Sequence, residues 1–159
     1  MRIFIFVCCF VFWLNSASAD AIKSCSDDYS IAIGLHSNVI RVSKEGKVFA
    51  VAKSDHDIVG GVFSLDDSYL VVYGLPAKVD RRSPQAEILS IYSTHPRLHL
   101  IMKRTYGGGI YDIGFGVNQR SIFVNSRFGF EIIDFQRKKV RSFDLMSEPQ
   151  FTKEFCAKR

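Results

Sequence analysis

The chain has 159 residues, 47% of them apolar, and a formal net charge of +5, enough for one ordinary domain with its own core. The basic surplus is mild and scattered over Arg81-Arg82, Lys103-Arg104 and Arg137-Lys138-Lys139. Without a basic stripe, nucleic acid is excluded as a partner.

In chain order, the first element is a secretory signal. Arg2 is a minimal positive region, 3–14 (IFIFVCCFVFWL) is an unbroken apolar run, and Ala17-Ser18-Ala19 is the small-x-small pattern of a cleavage site. An apolar run this short does not span a bilayer core, which needs about 20 residues. A lipoprotein is ruled out because Cys8 and Cys9 sit inside the run. Residues 1–19 are therefore predicted to be a cleaved signal peptide, and 20–159 a single exported domain with no membrane span.

After cleavage only Cys25 and Cys156 remain. A lone pair in an oxidising compartment is read as a disulfide. It would close a loop of about 130 residues and contribute on the order of 4–5 kcal/mol in the chain-entropy model. Two distant cysteines with isolated histidines match no metal-ligand spacing, so no metal and no cofactor are expected.

The body of the chain is short runs of Val, Ile, Phe and Tyr broken by turn residues, with no sustained helical period. The runs repeat as a unit. A first copy covers 29–33, 39–42 and 48–52 and lacks an opening strand. A second covers 58–64, 68–73, 86–92 and 98–102. A third covers 110–115, 121–124, 130–135 and 140–145. Each unit has the length of a propeller blade, but the count falls below the roughly 4–8 blades that close a ring. The expected fold is all-β: a propeller-like fragment of two to three four-stranded antiparallel meanders, its ends joined by the disulfide. A plain β-sandwich is the alternative. The terminal segment 146–159 is expected to protect a sheet edge, as a short helix.

No catalytic constellation emerges. Asp55-His56-Asp57 puts an imidazole between carboxylates, as a general base would need, yet no nucleophile lies at a legible spacing and a solvated polar turn is expected. His36, His95 and His99 are isolated. Gly107-Gly108-Gly109 precedes a strand rather than the helix a phosphate cradle relies on, and reads as a connector between units. Tyr106, Tyr111, Phe115, Phe128 and Phe130 form an aromatic series expected mainly in the core.

The distinctive element is the connection 74–85 (GLPAKVDRRSPQ), far longer than its counterpart in the third unit. Long connections without structure of their own are often functional. Its candidate partner-binding residues are Leu75, Pro76, Ala77, Lys78, Val79, Asp80, Arg81, Arg82, Ser83 and Pro84. The prolines stiffen the flanks, which reduces the entropy lost on docking.

The stretch Gly60-Gly61-Val62-Phe63, then Leu65-Asp66-Asp67, then 86–92 (AEILSIY) resembles the middle of the periplasmic immunity proteins that protect bacteria from type VI secretion amidase effectors. The resemblance covers about 45 residues. It implies a non-enzymatic periplasmic inhibitor that binds a cognate peptidoglycan-hydrolase toxin and fills its cleft with a loop. The corresponding loop here is 74–85, with Ser83 as the residue at the catalytic Cys–His pair. In this chain that loop is longer and more basic than the family's. The competing readings are a periplasmic binding or scaffold module, such as a lysozyme inhibitor, and a small secreted hydrolase.

Overall fold

The computed structural model describes residues 21–32, 38–78, 86–147 and 149–156. The predicted signal peptide and the six loop residues Val79 to Pro84 lie outside them.

Twelve strands form three four-stranded antiparallel meanders in chain order. The first contains β1 (Ala21–Lys23), β2 (Tyr29–Ala32), β3 (Val39–Lys44) and β4 (Lys47–Lys53). The second contains β5 (Gly60–Phe63), β6 (Tyr69–Gly74), β7 (Ala86–Ser93) and β8 (His99–Gly107). The third contains β9 (Ile110–Phe115), β10 (Ser121–Ser126), β11 (Gly129–Asp134) and β12 (Lys139–Phe143). The opening strands pack side by side, β1 on β5 and β5 on β9, so the sheets fan out like consecutive propeller blades. A two-sheet sandwich is thereby excluded.

The side-chain period of two explains the order of the sheets. On β6, Leu70 and Val72 join Tyr29, Ile31, Ile40 and Val42 of the first sheet, while Val71 joins Ile122, Val124 and Ile133 of the third. On β7 the same split sends Tyr92 one way and Leu89 and Ile91 the other. The middle sheet is buried on both faces and reads as near-continuous apolar runs. In the first sheet β3 alternates, whereas β10 of the third has Ile122, Phe123 and Val124 all buried.

The first turn of each sheet repeats in atomic detail. The amides of Ser24, Ser64 and Gly116 donate to the carbonyls of Tyr29, Tyr69 and Ser121, each at 2.9 Å. The residue three places on is left-handed in all three: Asp27 (φ 63°), Asp67 (56°) and Gln119 (53°). Asp and Asn are the usual non-glycine residues there, and a Gln in the third copy is less common. These side chains also latch neighbouring sheets. Ser26 Oγ donates to Asp67 Oδ2 (2.6 Å), and the Leu65 amide donates to Gln119 Oε1 (2.7 Å).

Between the second and third sheets Arg104 donates twice to Glu131, at 3.0 and 2.9 Å, and the Tyr106 hydroxyl donates to the same carboxylate at 2.7 Å. Burial and the Glu131 charge push the Tyr106 hydroxyl well above its ordinary value. A bidentate guanidinium–carboxylate pair fixes geometry as well as charge.

Two expectations are corrected. The first unit does have an opening strand: β1 pairs with β2 through Ala21–Ala32, Ile22–Ile31 and Lys23–Ser30. Three residues are too short to show alternation in sequence, and the pairing comes from the neighbour. The terminal segment is not a helix over its described part. It runs extended, its Lys153 bridging to Gly116 and its Glu154 amide donating to the Phe115 carbonyl at 2.9 Å. Phe151 stacks on Phe123 at 5.5 Å, and Lys153 Nζ sits 4.5 Å from the centre of the Phe123 ring.

The segment ends at the Cys25–Cys156 disulfide, which joins residues 131 apart in sequence with their Cα atoms 5.4 Å apart. The disulfide is compatible with an oxidising, exported location. Among the described residues no helix is long and apolar enough to cross a membrane.

Candidate functional site

The long connection starts where β6 runs past the edge of its sheet. Gly74 is required there, because a Cβ at this position would meet the Asp57 carbonyl oxygen at 1.7 Å. The chain then stays paired with the connector between the first and second sheets. The Val59 amide donates to the Tyr73 carbonyl (2.9 Å), Asp57 to Leu75 (2.8 Å), and Ala77 to Asp55 (3.1 Å), with His56 and Pro76 opposite each other. Pro76 has no amide to donate, so the ladder there depends on its neighbours.

The root of the connection is therefore Leu75, Pro76, Ala77 and Lys78 zipped onto 55–59, not a free strand end. Ala77 and Lys78 are exposed and line a groove of about 530 Å³ with Pro76, Asn38, Lys53, Ser54 and Asp55.

His56 corrects the expectation of a solvated turn. It is 0% exposed. Its Nδ1 lies 2.6 Å from Ser54 Oγ and 3.2 Å from Asp55 Oδ1. Asp55 in turn pairs with Lys103 of β8. Burial is the main cause holding the His56 imidazole below its ordinary value, against the opposing pull of Asp55. The hydrogen bond from Lys103 is the main cause holding Asp55 below the usual carboxylate range.

This Ser–His–Asp grouping is no charge relay. A relay needs the hydroxyl and the carboxylate on opposite ring nitrogens, whereas here both approach Nδ1 most closely, and Nε2 lies a long 3.5 Å from the same Ser54 hydroxyl. Its chemistry is structural: a neutral buried imidazole fills the space under the loop root. Sequence reasoning missed that role. The signal was available in Ile58, Tyr73 and Gly74, whose apolar, close-packing character argues against an open turn.

The other singled-out residues separate. Tyr106 and Phe115 are core, Phe130 is half-buried, and Tyr111 and Phe128 are exposed. Phe128 lies in the β10–β11 turn, the counterpart in the third sheet of the β6–β7 connection. Gly107, Gly108 and Gly109 do connect the second and third sheets, with Gly108 and Gly109 at positive φ. His95 lies in the β7–β8 turn, its Nε2 3.2 Å from the Tyr29 hydroxyl. Among the described residues no group of three or more His, Cys, Asp or Glu could hold a metal ion.

No family model matches the chain, and no curated protein matches it. Solved structures do. A eukaryotic initiation factor superposes with a TM-score of 0.59 at 9% identity, over 79% of this chain and 32% of that one. The β-propeller domain of Cps50 (Swd1) from Myceliophteria thermophila gives 0.57 at 11% identity, over 82% and 44%. A functionally unknown protein from Desulfotomaculum acetoxidans gives 0.55 at 14% identity, over 74% and 37%. The likeness is one of fold. The chain spans less than half the length of each of these proteins.

Proposed function

We propose that this chain is an exported inhibitor that binds a periplasmic peptidoglycan hydrolase and occludes its active site with the 75–84 segment. One observation carries the reading. The root of that segment is held by three backbone hydrogen bonds, a buried histidine and an obligatory glycine, on a scaffold of three interlocked sheets. A segment fixed at its base loses less entropy on docking than a freely hinged one. The cations in 78–82 and the serine at 83 offer hydrogen-bonding reach into a cleft. The disulfide suits a protein that works outside the cytoplasm, and the resemblance of 60–67 and 86–92 to immunity proteins supplies the class of partner.

The test is a variant with 79–84 replaced by a short Gly-Ser link, assayed against a peptidoglycan amidase that the parent chain inhibits. The expected result is unchanged unfolding but loss of inhibition of peptidoglycan cleavage. Full inhibition by the variant would overturn the proposal. Cleavage of peptidoglycan by the purified chain alone would favour an enzyme instead.

A further inference from the structure

In a closed propeller every sheet is covered on both faces, but a three-sheet fragment has two end faces. The outward face of the third sheet is covered by the chain itself: under Phe151 and Lys153, Phe123 is 9% exposed and Ile132 5%. Among the described residues the first sheet has no such cover. Its inward positions, Ile31, Ile40 and Val42, are buried against the middle sheet. The alternate positions, fixed by the pairs Lys23–Ser30, Ser30–Ser43, Ser43–Val48 and Arg41–Val51, point away. There Val48 is 57% exposed and Val51 59%.

The charged residues on this outward face are Lys23, Arg41 and Lys53, all exposed. Among the described residues no acidic side chain stands on this face, and none of the three forms an ion pair with a described residue; Asp55, which lines the neighbouring groove with Lys53, is paired with Lys103. They stand on β1, β3 and β4 and so span the sheet, about 14 Å across at the usual strand spacing. We propose that this face is a docking surface for an acidic partner protein, which seats an apolar, carboxylate-bearing element where a further blade would pack.

Charge complementarity selects the occupant. Val48 and Val51 provide a flat apolar centre, and carboxylates opposite Arg41 can be held by its planar, bidentate guanidinium. A second copy fits poorly. Face to face it would set Lys23, Arg41 and Lys53 against the same cations, and head to tail it would meet an end already covered by 149–156. A lipid surface fits poorly too, because the face lacks the Trp, Phe and Leu that enter a membrane interface. Lys53 also lines the groove beneath Pro76 and Ala77, so this face adjoins the loop root. The inference nevertheless does not rest on cleft occlusion by 75–84.

The experiment places the photo-reactive residue p-benzoyl-phenylalanine at Val51 of the full chain exported by its host cell. The same residue at Thr152, exposed on the covered end, is the control. The expected result is an adduct specific to Val51 with a protein of acidic sequence, identified by mass spectrometry. That adduct should disappear in the Arg41→Glu/Lys53→Glu variant and weaken as salt is raised with the purified pair. A second charge reversal, Lys23→Glu/Lys53→Glu, replaces the first should it fail to fold by circular dichroism. An adduct of twice the chain's mass, binding to phosphatidylglycerol vesicles that charge reversal removes, an adduct indifferent to charge reversal, or no adduct would each overturn the proposal. All of these are read independently of whether replacing 79–84 alters hydrolase inhibition.

Discussion

The two ends of this three-sheet stack solve one problem differently. At the third sheet the chain folds its own terminal segment over Phe123 and Ile132 and fastens it with a disulfide to the far sheet. At the first sheet the described residues leave the same geometric position open, with valines at the centre and cations around them. An open propeller has no neighbour to bury its end faces, so each must be covered by chain, made polar, or left for a partner. The covered end is held by packing and a covalent bond. The bare end costs little to the isolated domain, because alternation keeps its apolar content low.

The contrast can be broken most severely at Cys156. Cys156→Ser releases the terminal segment, and the expected loss is about 4 kcal/mol of unfolding free energy, for a closed loop of this length in the chain-entropy model. Urea denaturation with and without reductant measures it. Dye binding to a newly uncovered Phe123 should accompany it, and an unchanged midpoint would mean that the segment does not seal that end.

The connector between the first and second sheets is a reference away from both end faces. His56→Ala leaves a cavity and removes the imidazole's hydrogen bond to the Ser54 hydroxyl, at a cost of about 3 kcal/mol. Because burial lowers the folded imidazole's pKa, the unfolded chain takes up a proton first. Stability is therefore full above the ordinary value near 6.5 and falls as pH drops through it, levelling once the folded histidine is also charged. Urea midpoints measured from about pH 8 to about pH 5 should show that fall in the parent protein and lose it in the variant. An equal fall in both would remove His56 as its cause.

Phe151→Ala compares the ends directly. The ring is half-buried on Phe123, so the expected loss is about 2 kcal/mol, below that of a fully buried phenylalanine. The matching change at the bare end, Val51→Ala, is expected to stay within about 0.5 kcal/mol. Equal costs by thermal or urea unfolding would erase the distinction between a covered and an open end.

Much of this was legible in the residues. The runs at 60–63, 69–74 and 86–93 read as strands because β-branched and aromatic residues sit between turn signals, and the unit repeats. Cys25 and Cys156 were pairable from their number once the first 19 residues were set aside. Gly107 to Gly109 read correctly as a connector because a strand, not a helix, follows. Three readings failed for the same reason. β1 is too short to carry a period, 149–156 is extended only because β9 and Phe123 are there to receive it, and His56 is buried only because 73–77 folds over it.

Local pattern by itself determined the strands, their grouping into repeating units and the possible cross-link, since backbone preference and side-chain alternation act over a few neighbouring residues. Only the tertiary structure decided which end face is covered, which is bare and which polar residue lies beneath the long loop. Those outcomes depend on contacts between residues far apart in the chain, such as Phe151 with Phe123 or Asp57 with Leu75, and no short window of sequence contains both partners.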